Sequence, residues 1–105
     1  MVPAIITFDP HGPFEVPLTD RRLVNNEALA AFWQDGLLRQ LHGQRGLYVF
    51  AVSGPGRGMK PLYVGRATLM TFGRECFSPS NRDKLNHGLP PRGRLVLFLV
   101  EYVHK

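Results

Sequence analysis

The sequence predicts an α+β domain with a small, mostly antiparallel three-stranded sheet flanked by helices, and with an N-terminal strand or hairpin extension. Three β-prone apolar runs lie in the C-terminal part of the chain, at 47–52, 62–64 and 94–103. Apolar residues at helical spacing precede them, from about 26 to 41. The 105 residues suffice for one modest hydrophobic core. We therefore expect a single compact domain, in which residues 1–43 form an extension and a helix packed on a core of residues 44–105.

The extension contains two short apolar runs, 4–8 and 14–18, on either side of the turn-forming residues 9–13. β-prone runs around turn residues predict a loose hairpin or an edge strand. Pro17 argues against a regular strand in the second run. We expect this segment to be an accessory strand or a cap over the sheet.

The helical spacing predicts one helix from about Asn26 to Leu41. Asn25 or Asn26 can cap its first turn and Gly43 can end it. Gly36 interrupts the helix at a cost of about 1 kcal/mol. The face expected to pack on the sheet consists of Leu29, Phe32, Trp33, Leu37 and Leu41.

The first two β-prone runs predict a hairpin. Residues 47–52 are an unbroken apolar run, typical of a strand covered on both faces. Residues 53–58 are rich in glycine and proline, which disfavours regular structure between the strands. Each strand carries a tyrosine, Tyr48 or Tyr63, and a helix is expected directly after the second strand.

Tyrosines on paired strands can present two phenols to one pocket, and the following helix can bring an arginine to the same place. A phenol beside a water and a guanidinium beside a phosphate suit hydrolysis of a phosphodiester. Tyrosines in strands are also common packing residues. From the residues alone, catalysis and packing both stay open.

Two short segments, Gly46-Leu47-Tyr48 and Tyr63-Val64-Gly65, resemble the signature of the GIY-YIG nuclease superfamily, and the second tyrosine lies fifteen positions after the first. This superfamily includes excision-repair, homing and restriction endonucleases. The resemblance covers roughly residues 45–77 and continues into Arg66-Ala67.

The resemblance implies that Tyr48 and Tyr63 line an active site, where one of them helps to activate the attacking water. It implies that Gly65 allows close approach at the strand end. It also implies an arginine on the following helix that contacts the scissile phosphate. Arg74 is the match, one position later than the commonest spacing, and Arg66 is the reserve candidate. The cofactor implied is a divalent metal, Mg²⁺ or Mn²⁺.

The superfamily holds its metal through a glutamate on a helix after the third strand, and no residue before Lys105 matches that position. Glu75 and Glu101 are the acidic candidates nearby, although neither fits the family pattern. Three interpretations stay open: a fragment of a longer protein, a relocated ligand, or a domain that does not cleave.

The basic residues are concentrated in the half that holds the motif. Residues 1–43 carry five acidic and three basic side chains, and residues 44–105 carry three acidic and ten basic ones, giving net charges of −2 and +7. This asymmetry is typical of a nucleic-acid-binding face, although a solvated surface is the alternative. The expected contacts with nucleic acid are Lys60, Arg66, Arg82, Lys84 and His87, with Asn81 in the same polar patch.

Other features of the sequence narrow the class of protein. No apolar stretch approaches membrane-spanning length and no signal-peptide pattern is present, so we expect a cytoplasmic protein without a membrane partner. Cys76 is the single cysteine, which excludes an internal disulfide and predicts a buried, inert thiol. The four histidines lack zinc-site spacing.

The leading expectation is a metal-dependent endonuclease that acts on nucleic acid, with DNA favoured over RNA and with an additional domain or protein partner for targeting. The first alternative is a nucleic-acid-binding module that keeps the fold but does not hydrolyse its ligand. A less favoured alternative is a protein-interaction domain whose basic half meets an acidic partner.

Overall fold

A computed structural model describes residues 6–54, 56 and 58–104. Its elements are β1 (Ile6–Glu15), α1 (Asn26–Phe32), α2 (Gly36–Leu41), β2 (Gly46–Gly54), β3 (Gly58–Ala67), α3 (Phe72–Glu75), α4 (Pro79–Gly88) and β4 (Arg94–His104). The strands form one antiparallel sheet in the order β1-β4-β2-β3. The α+β class is confirmed. None of the helices in these ranges is long and apolar enough to cross a membrane.

The sheet has four strands rather than the predicted three, because β1 pairs with β4. Ile6 lies opposite His104, and Glu15 lies opposite Val96 at the other end of the pair. An irregularity in the register falls at Gly12-Pro13, where an edge strand tolerates a proline because its outer N–H groups need no partner. Residues 4 and 5 of the predicted first run lie outside the described residues.

The predicted hairpin is present, and both of its strands are longer than expected. β2 extends to Gly54 and β3 begins at Gly58, so half of the segment predicted to be irregular continues the ladder: Ser53, Gly54 and Gly58. Pro55 and Arg57 of that segment lie outside the described residues. β2 is a central strand, but its burial alternates from Gly46 to Phe50. The prediction of a strand covered on both faces therefore holds only for residues 50–52, which are buried in succession.

The prediction of one continuous helix over 26–41 is wrong. The chain forms two helices, α1 and α2, and Gly36 is the first residue of α2. Glycine is less costly at a helix end than in the interior. The break changes the helical phase, so Leu38 is buried and Leu37, predicted to pack on the sheet, is exposed. The other members of the predicted face contact the core: Leu29, Phe32, Trp33 and Leu41.

The hydrophobic core lies between the helices and one face of the sheet. Its most buried side chains are Tyr48, Phe50, Phe72, Cys76, Leu95, Leu97 and Leu99. The predicted burial of Cys76 is confirmed, and burial raises the pKa of its thiol. The core face of the hairpin is therefore also the face on which α3 and α4 pack.

Of the two proposed caps of α1, Asn25 takes the role: its side-chain oxygen accepts the backbone N–H of Ala28 at 3.0 Å. Asn25→Ala removes this acceptor, and we expect it to lower the free energy of unfolding by about 1 kcal/mol in urea denaturation. Asn25→Asp keeps an acceptor oxygen and should stay close to wild type. An equal loss in both variants would contradict the capping role.

Candidate active site

Tyr48 and Tyr63 are neighbours on the helix-covered face of the hairpin. Tyr48 lies opposite Gly65 and Tyr63 lies opposite Phe50, so the two tyrosines are diagonal partners, with ring centroids 6.2 Å apart. A Cβ atom at position 65 would overlap the ring and the hydroxyl oxygen of Tyr48. Glycine at this position therefore makes room for the phenol on the paired strand.

The two phenols differ in exposure. Tyr48 is 1% exposed, and this burial raises the pKa of its hydroxyl because a low-dielectric surrounding disfavours the phenolate. Tyr63 is partly exposed, and its oxygen accepts a hydrogen bond from Lys84 Nζ at 3.4 Å. The Lys84 ammonium also lies 4.8 Å from the centre of the Tyr63 ring. A ligand can therefore reach Tyr63 but not Tyr48.

A buried amide and a carboxylate surround the Tyr48 hydroxyl. Asn81 Nδ2 donates to Tyr48 Oη at 2.8 Å, and Tyr48 Oη donates to Glu75 Oε1 at 3.4 Å. Asn81 is 3% exposed, and it is the single amide or charged side chain that is buried among the described residues. Glu75 is the last residue of α3 and is only partly buried. Its carboxylate is therefore in contact with the buried network while remaining partly open to solvent.

Asn81 was expected in a polar patch with Arg82, Lys84 and His87, but its side chain is only 3% exposed and is packed inside the fold. Ser78 caps α4: its hydroxyl oxygen accepts the backbone N–H of Asn81 at 3.3 Å, and Pro79 is the first helical residue. This start places Asn81 in the first turn, where its amide faces α3. The Ser78-Pro79 pair is the sequence signal for this helix start.

The two arginines considered for the phosphate differ in position. Arg74 is an exposed residue of α3, the helix that carries Glu75 and packs on the tyrosine face. Arg66 is exposed but follows Gly65 directly in β3, and successive side chains of a strand point to opposite faces. Arg74 is thus on the side of the sheet where the tyrosines lie, whereas Arg66 is on the other side.

The residues expected to contact nucleic acid do not form one cluster. Lys84 alone is in contact with Tyr63, and Lys60 is exposed in β3 near the turn of the hairpin. Arg82 Nη1 donates to Asn26 Oδ1 at 2.6 Å. His87 Nδ1 lies 3.3 Å from a side-chain oxygen of Asp83 on an exposed helix face.

The two acidic metal candidates are also separated. Glu101 lies 3.2 Å from His11 across the β1–β4 pair, whereas Glu75 contacts Tyr48. No group of three or more His, Cys, Asp or Glu side chains suited to a metal occurs within the described ranges. Mg²⁺ is often held by one or two carboxylates together with waters and substrate phosphates. Glu75 fits that pattern as a single protein ligand.

No family model, curated protein or solved structure matches this chain. The likeness to the GIY-YIG signature therefore stays a similarity of short segments.

Proposed function

We propose that this chain is a metal-dependent endonuclease domain of the GIY-YIG type, which hydrolyses phosphodiester bonds of nucleic acid, with DNA favoured. The main support is that the two motif tyrosines, Tyr48 and Tyr63, lie side by side in the structure. They are fifteen positions apart in sequence, yet their rings lie 6.2 Å apart. A glycine leaves space for one phenol, and the two hydroxyls contact Glu75 and Lys84.

In this proposal Tyr63 is the phenol that meets the attacking water. It is partly exposed, and its oxygen accepts from Lys84, so its own proton stays available for a further hydrogen bond. Once it has lost its own proton, a phenolic oxygen in hydrogen-bond reach of the water can accept the proton of that water. The guanidinium of Arg74 would stabilise the charge that develops on the phosphoryl oxygens.

Tyr48 has a different task from Tyr63, because a side chain that is 1% exposed does not touch the substrate. Its hydroxyl instead donates to Glu75 and so helps to orient that carboxylate. A bound Mg²⁺ or Mn²⁺ would supply charge stabilisation at the phosphate, and Glu75 is the residue that would hold it.

The charge distribution supports nucleic acid as the substrate, and salt dependence tests it. Lys60→Ala should reduce the slope of the logarithm of the binding constant against the logarithm of salt concentration by about 1, as expected for one lost phosphate contact. Anisotropy of a labelled duplex in a potassium chloride series measures the slope. Arg39→Ala, an exposed change on α2 in the acidic half, is the control. Equal slopes for wild type and Lys60→Ala would contradict the contact.

A nucleic-acid-binding module without hydrolysis is the second candidate. The observation in its favour is that the Tyr48 hydroxyl is enclosed by Asn81 and Glu75 instead of facing a ligand. Such a module would bind with the same salt sensitivity but would not cleave.

The deciding experiment incubates the domain with supercoiled plasmid and with single-stranded RNA, in Mg²⁺ or Mn²⁺ and in chelator. Metal-dependent nicking that is lost in Tyr63→Phe and in Arg74→Ala supports the endonuclease. Arg39→Ala should cleave like wild type. Salt-sensitive binding without cleavage in any metal would favour the binding module and refute the enzyme.

A further inference from the structure

The orientation of the buried Asn81 amide is fixed by its partners. Nδ2 lies 2.8 Å from Tyr48 Oη, 2.9 Å from the carbonyl oxygen of Glu75 and 3.2 Å from that of Cys76. Carbonyl oxygens only accept hydrogen bonds, so the atom that faces them must be the amino group and not the amide oxygen. The amino group has two protons, and its two shortest contacts are with Tyr48 Oη and the Glu75 carbonyl oxygen, so it donates to Tyr48.

This donation determines what Tyr48 does with its own proton. A phenol has one proton, and the Tyr48 oxygen already accepts from Asn81. The proton is therefore directed elsewhere, and Glu75 Oε1 is the acceptor at 3.4 Å. The result is a chain of hydrogen bonds with one direction, from a buried amide through a buried phenol to a partly exposed carboxylate.

We propose that Asn81 is a positioning residue, which sets the direction of the Tyr48 hydroxyl and through it holds the Glu75 carboxylate beside the tyrosine pair. The effect on cleavage rests on the proposed function, whereas the direction of the hydrogen bonds does not. Tyr48 thus orients the Glu75 carboxylate inside the fold, whereas Tyr63 contacts the substrate.

The local structure holds Asn81 rigidly enough for this task. Its backbone N–H donates to the Ser78 hydroxyl oxygen at 3.3 Å, while its side chain binds the last carbonyls of the preceding helical turn. Asn81 therefore connects the start of α4 to the end of α3, the helix that carries Glu75. Movement of one helix relative to the other would change the position of the carboxylate.

The direct test is the NMR signal of the phenolic ¹³Cζ atoms in tyrosine-labelled protein. The chain has three tyrosines, and Tyr48→Phe identifies the resonance of Tyr48. We expect this resonance to move by more than its linewidth in Asn81→Ala, which removes its donor. Glu75→Ala removes its acceptor and should also move it. The second variant changes a partly exposed residue, so the test stands even if Asn81→Ala folds poorly.

Asn86→Ala is the matched control for Asn81→Ala. Asn86 lies on the same helix, and its side-chain oxygen accepts the backbone N–H of Val24 at 2.9 Å. Asn86→Ala also deletes a hydrogen bond between two segments of the chain, the one from Val24 to α4. This bond lies further along α4 from the tyrosine pair than Asn81 does. The Tyr48 resonance should therefore stay unchanged in Asn86→Ala.

Cleavage tests whether the chain of hydrogen bonds matters for the reaction. Asn81→Ala and Tyr48→Phe should each lower cleavage by about 10- to 100-fold, the usual loss when a residue that orients a metal ligand is removed. The double variant should lose no more than either single variant, because both act through Glu75. Losses that multiply in the double variant would overturn the proposal.

The two proposals fail in different ways. A Tyr48 resonance that is identical in wild type, Asn81→Ala and Glu75→Ala overturns the role of Asn81, whatever the cleavage assay gives. Resonance shifts in a protein that does not cleave support the hydrogen-bond direction and refute the endonuclease instead.

Discussion

Tyr63→Phe is expected to reduce metal-dependent cleavage by about 10²- to 10⁴-fold, the range contributed by a positioned group that transfers a proton. The change removes one oxygen and leaves the ring, which packs beside Tyr48 with a centroid distance of 6.2 Å. The oxygen is lost from a partly exposed site, where its partner Lys84 can be hydrated. The free energy of unfolding should therefore stay within about 0.5 kcal/mol of wild type. Initial rates on plasmid and urea denaturation measure the two quantities.

Tyr102→Phe is the matched control for this prediction. Tyr102 is in β4, and its ring packs on Phe8 of the edge strand β1 with centroids 5.1 Å apart. The edge formed by β1 is opposite the edge formed by β3, the strand that carries Tyr63. Tyr102→Phe loses the same atom from a half-buried ring and should cleave at the wild-type rate. Equal rates for Tyr63→Phe and Tyr102→Phe would remove Tyr63 from the reaction.

Gly65→Ala is expected to lower the free energy of unfolding by about 3 kcal/mol, the upper part of the range for an overpacked core. The added methyl group would occupy the space of the Tyr48 ring and hydroxyl. Tyr48 is almost completely buried and is held by Asn81 and Glu75, so it cannot move aside without breaking those hydrogen bonds. The cleavage rate should fall as well, because a displaced Tyr48 no longer donates a hydrogen bond to the Glu75 carboxylate. Urea denaturation and the plasmid assay measure both.

Gly36→Ala separates this clash from the general effect of adding a methyl group. A Cβ atom at position 36 meets nothing within 4 Å. Alanine in a helix is favoured over glycine by up to about 1 kcal/mol, so this variant should be as stable as wild type or more stable. A Gly65→Ala protein as stable as Gly36→Ala would contradict the close packing of Tyr48 against β3.

The hairpin was predictable from sequence because its information is local. Residues 47–52 and 62–64 are β-prone, and they lie close together in the chain on either side of a turn-forming segment. β1 was less predictable, because its partner lies at the opposite end of the chain: Ile6 pairs with His104. Prolines in that segment also argue against a strand, and only the edge position makes them compatible with pairing.

The candidate site was predictable in part for a similar reason. The tyrosines and Gly65 follow from the motif, and Arg74 from the expected helix. The contacts of Tyr48 with Asn81 and Glu75 depend on how α3 meets α4, which no periodicity in the sequence encodes. The break between α1 and α2 instead follows a local signal, because Gly36 is less costly at a helix end than inside a helix.

The buried thiol of Cys76 is a natural probe of local unfolding, because its rate of chemical labelling depends on how often it becomes exposed. The thiolate is the nucleophile that attacks an alkylating reagent, and burial both shields the Cys76 sulfur and disfavours its thiolate form. Labelling should therefore occur only when the end of α3 detaches from the core, and its rate measures that opening without an introduced probe. Because Glu75 directly precedes Cys76 in the chain, slower labelling in the presence of nucleic acid would show that ligand binding rigidifies the segment that carries the carboxylate.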